Sequence, residues 1–404
     1  MKSKSLLKYM TFSGYLTGSF FVTAARGLGL TYIVLILHKS MDINLSEIGF
    51  VVTSAVFAGG FMCVFFGNLI DRLNTKIILN SMCIFSIIAY LLIYNTQNIW
   101  LIFMLMTVLV LGYSTISVTI NSAVAKATSS KISTKVFGLR YVLTNLAFGI
   151  FPLLGAMLLK RNDGMIFWFA ATAMLMALVA FSLQKSHMQT SNDQQVKKHS
   201  HSLKLLLIDK KLFYYVLAGF LTSIALRQFP SYLSLFLISN GMEDISKIIS
   251  TLIIINTGMV VAFQVHVTNL LERLPLITRS ICGLLLLTLG LVGFMYATSL
   301  PFWCLSMAVF SLAEMIIAPA QYSLIKDIAL PSREGAYFAI HNLSSLGGSF
   351  SPLVCGLMLS YFPMINMFFA LIACVIVAIL GYLMGNNATG ARVQTVTQQI
   401  HSSQ

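Results

Sequence analysis

Charge is what this sequence has least of. Only 9% of its 404 residues are charged and just 12 are acidic, whereas 57% are hydrophobic and the mean hydropathy is +0.85. A soluble domain of this length needs far more charge to cover its surface. Several chemical signatures are missing too. There is no G-x-x-x-x-G-K-[ST] loop, which excludes self-contained ATP-driven pumping. Nor is there a dinucleotide fingerprint, a hydrolase triad or a metal-ligand cluster. An enzyme is therefore not expected, and no cofactor is called for beyond a proton gradient. The six cysteines (Cys63, Cys83, Cys282, Cys304, Cys355 and Cys374) fall in apolar stretches and form no C-x-x-C pair. Neither a zinc site nor a disulfide framework is expected from them.

What is present is a series of apolar runs, each long enough to cross a hydrocarbon core of about 30 Å. Inside lipid every span must satisfy its own backbone polar groups, so the runs are helices. The pattern predicts an all-α polytopic membrane protein with twelve spans, over 9–37, 46–68, 77–95, 99–123, 137–159, 165–183, 212–238, 246–270, 277–297, 302–325, 336–360 and 364–385. The first run is too long for a signal-peptide core and no small-residue cleavage site follows it, so a retained helix is expected. With the N-terminus inside, nineteen lysines and arginines fall on the inner side and four (Lys39, Lys160, Arg161 and Lys247) on the outer. That asymmetry predicts both termini in the cytoplasm. It also accounts for the net charge of +14 without a nucleic-acid partner.

The longest polar stretch, 184–211, reads as a flexible cytoplasmic linker. It separates an N-terminal six-helix bundle (1–183) from a C-terminal one (212–385), with a polar cytoplasmic tail after them (386–404). His199 and His201 in the linker read as solvated residues, since no carboxylate or thiol sits close by in sequence. The bundles echo one another. A polar break, Gly67-Asn-Leu-Ile-Asp71-Arg72-Leu-Asn-Thr-Lys76, recurs 201 residues on as Thr268-Asn-Leu-Leu-Glu272-Arg273-Leu-Pro275. Arg26 and Arg227 share that offset, and Phe151-Pro152-Leu153 matches Ser351-Pro352-Leu353 at 200. Gene duplication explains these coincidences. Two parallel repeats are expected to place a cavity on the axis between them, near the bilayer midplane.

Twelve spans, a long central loop and the G-x-L-x-D-R pattern of Gly67, Leu69, Asp71 and Arg72, followed by Lys76, resemble the major facilitator superfamily. Asn74 stands where that family usually places glycine, and Thr75 where a basic residue is common. Gly149-Ile-Phe-Pro152-Leu-Leu-Gly155 resembles the Gly-Pro motif of the drug:proton antiporter branch. Glu314-Met-Ile-Ile-Ala-Pro319 and Ala25-Arg26-Gly27 are similar to a bacterial group of small exporters that includes dipeptide and microcin-type peptide-antibiotic exporters. The resemblance implies a multi-pass protein of the bacterial inner membrane, a monomer by default, whose charged loop steadies an outward-facing state.

Charge inside a bilayer is costly, so the few ionisable residues within apolar runs are functional candidates. Glu314 is the one carboxylate placed deep in a span. A carboxyl in dry surroundings can hold a proton that water would remove, so Glu314 is expected to couple protons or bind substrate. The alternative is a static helix–helix bond. Arg26 and Arg227 are expected to bind substrate, because guanidinium forks favour carboxylate and phosphate. That pair resembles the arginines of spans one and seven in organophosphate exchangers. Tyr232 is added as a cavity-lining aromatic. Gly67, Asp71, Arg72, Glu272 and Arg273 read as a gate that bonds in one state and releases in another. Pro152 and Pro352 read as hinges in matched helices. Arg140, His266 and His341 lie nearer the cytoplasmic ends, where snorkelling or packing is enough.

Together these readings predict proton-motive-force-driven efflux of a small molecule (a peptide, peptide antibiotic or drug) by alternating access. Two alternatives stay open. One is an anion or organophosphate exchanger or importer, suggested by the arginines. The other is a membrane immunity protein that binds a toxic peptide without translocating it.

Overall fold

Backbone groups withdrawn from water must bond within their own segment, and the apolar runs fold accordingly. A computed structural model describes residues 11–33, 36, 45–159, 164–184, 202–227, 229–242 and 244–389, and their regular structure is helical throughout. Most of the expected linker with His199 and His201, the tail beyond 389 and the Pro352 side chain lie outside the described residues. The first helices are α1 (Ser13–Gly29), α2 (Leu45–Arg72), α3 (Thr75–Ile93), α4 (Ile99–Ala127), α5 (Ser130–Leu159) and α6 (Met165–Leu183). A short α7 (Ser202–Ile208) precedes α8 (Lys210–Leu226), α9 (Phe229–Ser239), α10 (Ile245–Leu270), α11 (Leu276–Tyr296) and α12 (Leu300–Ile328). The last are α13 (Glu334–His341), α14 (Leu343–Tyr361) and α15 (Asn366–Asn387).

Twelve spans were expected. Among the described residues ten segments are long and apolar enough to cross a membrane, taking α13 with α14 as one, or eleven if the bent pair α8 and α9 is a single span. The described part of α1 has 17 residues, which at about 1.5 Å each falls just short of a core of about 30 Å. The run expected as one helix over 212–238 is bent by 45° between α8 and α9. Pro230 explains the bend, because it has no N–H for the Leu226 carbonyl four residues earlier and its ring crowds that carbonyl. The break expected at 67–76 is also smaller than the sequence suggested. Helix α2 continues through Asp71 and Arg72, and only Leu73 and Asn74 separate it from α3. Asn74 is extended (φ −62°, ψ 128°) and its side chain accepts the Lys76 N–H at 2.9 Å. It caps α3, so the position needs no glycine.

By their contacts the residues form two units, Met1–Ser129 with Leu139–His199 and Ser130–Gly138 with Ser200–Gln404. Helix α5 is thus divided, its opening turns belonging to the second unit. In the first unit α1 packs on α6, α6 on α3, α3 on α4 and α4 on α2. In the second, α8 packs on α15, α15 on α11, α11 on α12 and α12 on α10. The two series are the same once each helix is matched with its counterpart, as α3 and α11, beginning at Thr75 and Leu276, or α4 and α12, beginning at Ile99 and Leu300. The repeat read in the sequence is therefore a repeat of packing. Close approach rests on glycine at two points. A Cβ on Gly59 would lie 2.8 Å from the Thr107 carbonyl oxygen, and one on Gly347 would lie 2.0 Å from that of Phe220. Small residues of this kind let membrane helices touch backbone to backbone. Large apolar groups face outward instead: Phe50, Phe57, Phe61 and Phe65 follow one another at helical spacing on α2, and all are exposed. A contiguous apolar face of this kind suits lipid, not water.

Candidate functional site

Charge in a helical bundle needs partners, and the carboxylates show where they are. Glu314 projects from the middle of α12 and is half-buried. Asn256 of α10, itself buried, donates to Glu314 Oε2 at 2.7 Å and to Ser311 Oγ at 3.2 Å. Ser311 in turn donates to the Met307 carbonyl at 2.8 Å. Tyr232 of α9 lies in electrostatic range of Glu314. It is fully buried, and its hydroxyl donates to the Ala225 carbonyl at 2.9 Å, across the α8–α9 bend. Nothing in the sequence singled out Asn256. An amide in an apolar helix has no spacing that announces its partner.

The duplicated charged turn is built differently in its two copies. In the first unit Asp71, in the last turn of α2, meets Lys126 Nζ at 2.9 Å at the end of α4. Gly67 is buried one turn earlier and Arg72 is exposed. In the second unit Glu272 sits in a 3-10 turn, Leu271–Arg273, and meets Lys131 at 2.8 Å and Lys135 at 3.1 Å. Arg279 of α11 fixes that turn by donating to the Glu272 carbonyl at 2.7 Å and the Leu274 carbonyl at 2.9 Å. Arg273 is exposed. The sequence supplies the reason for the difference: the residue 201 positions after Lys126 is Asp327, an acid where the first copy has its base. The first residues of α5 make up the lack. Besides the two lysines, Ser130 donates to Asp327, Lys326 donates to Ser133 Oγ at 3.0 Å, and the hydroxyls of Thr134 and Ser323 bond at 2.7 Å.

Segment 130–138 is thus held on the second unit by these polar contacts and by the buried Phe137 ring, packed on Tyr322 and Phe338. Reversing Lys131 and Lys135 together to glutamate sets like charge against Glu272. With each part-exposed pair worth up to about 1 kcal/mol, labelling of a cysteine introduced at the fully buried Ser133 should rise about tenfold. Unchanged labelling would show that the lysines merely decorate the segment.

The two repeat-related arginines both end helices. Arg26 lies exposed in the last turn of α1 with its Cζ 5.5 Å from the Phe148 ring centroid. Arg227 is the exposed C-cap of α8, its N–H donating to the Ser223 carbonyl at 3.2 Å. Positive charge is favoured at that end of a helix by the backbone dipoles. Gly348 of α14 makes room for the Arg227 stem, since a Cβ there would lie 2.9 Å from Arg227 Cβ. Pro152 lies inside α5, where Gly27 approaches its ring and the Tyr32 hydroxyl donates to its carbonyl. The Pro352 backbone lies within α14. Arg140, expected to snorkel, is instead gripped by two neighbouring helices of the first unit, α1 and α4. It donates to Ser19 Oγ at 2.9 Å, Asn121 Oδ1 at 2.5 Å and Ser117 Oγ at 2.9 Å.

The sequence profile of the Major Facilitator Superfamily matches residues 15–352. YdeE of Escherichia coli (strain K12), described as an uncharacterized MFS-type transporter, is 29% identical over 371 residues, 91% of this chain and 93% of the relative. YqjV of Bacillus subtilis (strain 168), described in the same words, is 21% identical over 353 residues, 85% of each. Among solved structures the MFS transporter FucP superposes with a TM-score of 0.77 at 14% identity, over 93% of this chain and 99% of its own. The human organic anion transporter MFSD10 superposes with a TM-score of 0.70 at 14% identity, over 94% and 99%. Likeness at that identity concerns the fold alone.

Proposed function

The chain belongs to the Major Facilitator Superfamily of membrane transporters, and from that premise we propose that it is a twelve-helix, proton-driven exporter of a small organic molecule. The cargo class we propose is a peptide, peptide antibiotic or drug, moved across the bacterial inner membrane with both termini in the cytoplasm. The observation that carries the reading is Glu314, a carboxylate within a membrane span bonded to a neutral amide, Asn256. Such a pair tolerates both protonation states. When a proton arrives from outside, the charge-assisted bond becomes a neutral one of roughly half the strength, and α12 is less firmly tied to α10. Exchange of that proton for substrate from the cytoplasm completes the cycle.

The gate in this reading is the charged turn. Glu272 with Lys131 and Lys135, and Asp71 with Lys126, are bonds that can be broken and remade between states. Gly67, Arg72 and Arg273 belong to the same turns, and Pro152 and Pro352 serve as hinges. Arg26 and Arg227 are the residues proposed to take an anionic group of the substrate, with Tyr232 shaping the site. The solved structures that share the fold include an organic anion transporter, a homologue of an iron transporter and a fucose:proton symporter, so the fold by itself selects no cargo.

Inverted membrane vesicles test the reading. With an acidic lumen, the protein should accumulate members of a peptide and drug panel, and a protonophore should abolish the accumulation. Exchange against phosphate that needs no gradient would point instead to the anion exchanger suggested by Arg26 and Arg227. Protection of cells from a toxic peptide that persists in Asp71→Asn, with cycling blocked, would point to a non-translocating immunity protein.

A further inference from the structure

Helix α12 carries a proline, Pro319, one turn beyond Glu314. Proline has no N–H, so the carbonyl four residues earlier, that of Met315, loses its partner within the helix. Neighbouring side chains can satisfy such a group in a membrane helix, and here Gln264 does so. Its Nε2 donates to the Met315 carbonyl at 2.9 Å and to Thr268 Oγ1 at 3.1 Å. The nitrogen must face that carbonyl, because two oxygens would repel. Gln264 is fully buried, and its Oε1 has no hydrogen-bond partner among the described residues. The amide is therefore only half satisfied, a tie less secure than a completed network.

Two further observations place this joint between the gate and the carboxylate. Gly138, the last residue of the docked 130–138 segment, runs close to it, since a Cβ there would lie 3.0 Å from Thr268 Oγ1 and 3.8 Å from Gln264 Nε2. A small cavity lined by Thr134, Thr268, Arg279, Met315 and Pro319 adjoins it. On the other side Met315 follows Glu314 directly. The same helix, α10, therefore holds α12 twice, by Asn256 at the carboxylate and by Gln264 at the proline. The first repeat has neither element: the counterparts 201 residues earlier are Cys63 for Gln264 and Val118 for Pro319.

We propose that Gln264 is a positioning residue that couples the docked segment 130–138 to Glu314 through the Met315 carbonyl and the Pro319 joint. With the segment in place, Gly138 closes over Thr268 and the amide stays on the carbonyl, which keeps α12 and Glu314 in register with Asn256. Release of the segment frees the amide and lets α12 bend at the proline. Conversely, protonation of Glu314 loosens α12 and with it the seat of the segment. This rests on the reading of Glu314 as the proton carrier. The ionisable groups on the elements packed around α12 are Tyr232 of α9, His266 of α10, Arg279 and Cys282 of α11, and Glu334, Tyr337 and His341 of α13. Lys210, Lys211, Tyr214, Tyr215 and the C-cap Arg227 of α8, Tyr382 of α15, Cys304, Tyr322, Lys326 and Asp327 on α12 itself, and Glu272, Lys131 and Lys135 at the gate belong with them. Because so many groups are near, the pH test needs Glu314→Gln as its control.

The experiment measures labelling of Ser133→Cys by a water-soluble maleimide across a pH series, in purified full-length protein whose native cysteines have been replaced. Labelling, expressed at each pH relative to that of the same cysteine in denatured protein because only the thiolate reacts, should rise several-fold on acidification and become flat in Glu314→Gln, in Gln264→Leu and in Pro319→Ala, which restores the helix bond and removes the joint. Gln264→Asn should retain part of the response. A response lost in Glu314→Gln but intact in Gln264→Leu overturns the coupling and leaves the proton reading standing. A response that survives Glu314→Gln, or none in the parent, overturns both. Stability supplies an independent arm if Gln264→Leu folds poorly. That substitution should lower the folded-to-unfolded ratio about threefold or more in the parent and much less in Pro319→Ala, where Met315 has its own donor. Equal losses in the two backgrounds would overturn the role assigned to the carbonyl.

Discussion

Glu314→Gln is expected to give a folded, membrane-embedded protein that no longer responds to a proton gradient. Glutamine has the same shape and keeps an oxygen for Asn256 Nδ2, now 2.7 Å from Glu314 Oε2. The bond changes from charge-assisted to neutral, at a cost of about 1 kcal/mol in stability. The coupling itself is a different matter, because a side chain that cannot ionise has no proton to exchange. Coupling free energies between sites commonly run to about 1–3 kcal/mol, or roughly 5- to 150-fold in affinity. Gradient-driven accumulation in inverted vesicles should fall by at least that factor, to the level of passive equilibration, while downhill exchange of substrate continues. Asn256→Leu should behave in the opposite way, keeping the ionisable group but removing the amide bonds to Glu314 and Ser311, and so losing stability first. If Glu314→Gln accumulates substrate as the parent does, the Asn256 contact is a static helix–helix bond and the proton travels elsewhere.

The largest effect on stability is expected at Asp209, where the chain enters the second unit. Asp209 is completely buried. It caps α8 by accepting the Leu212 N–H at 3.1 Å, and it accepts the Tyr337 hydroxyl of α13 at 2.7 Å. Alanine removes the cap, worth about 1 kcal/mol, and leaves a buried hydroxyl without its acceptor, at about 1–3 kcal/mol more. Asp209→Ala should therefore lose about 2–4 kcal/mol in reversible unfolding. Asp209→Asn, whose single oxygen can keep the Leu212 N–H while its NH2 donates to the Tyr337 hydroxyl, should lose less than half of that. Combined with Tyr337→Phe the alanine variant should lose less than the sum of the two alone, since the hydroxyl is then gone. Additive losses would mean that Tyr337 has another acceptor and that the tie between α8 and α13 is incidental.

What could be read from the sequence was whatever repeats. Asp71 and Glu272, Arg72 and Arg273, and Arg26 and Arg227 recur at one offset, and the packing order of the helices follows the same offset. Residues that act once leave no such trace. Asn256, Gln264 and the Ser19, Ser117 and Asn121 grip on Arg140 are single polar groups in apolar helices, and their meaning lies in a neighbour far along the chain. Two breaks were misjudged for a related reason. Hydropathy joined α8 and α9 across Pro230, because apolar residues flank the proline on both sides. It also opened a loop at Asp71, although two charged residues at a helix end can remain helical when Lys126 is there to meet them. Asn74 shows how a departure from a familiar pattern can be local chemistry, one capping device replacing another.

The substitution of an acid for a base between the two copies, Lys126 against Asp327, has a bearing on descent. Freshly duplicated halves could have been separate subunits, each neutralising its own turn. Glu272 takes its cations from Lys131 and Lys135, which precede the linker in sequence, whereas Asp71 takes its own from Lys126 of the same copy. The two turns have diverged in where their counter-charge comes from, so one copy's sequence no longer specifies the surroundings of the other's.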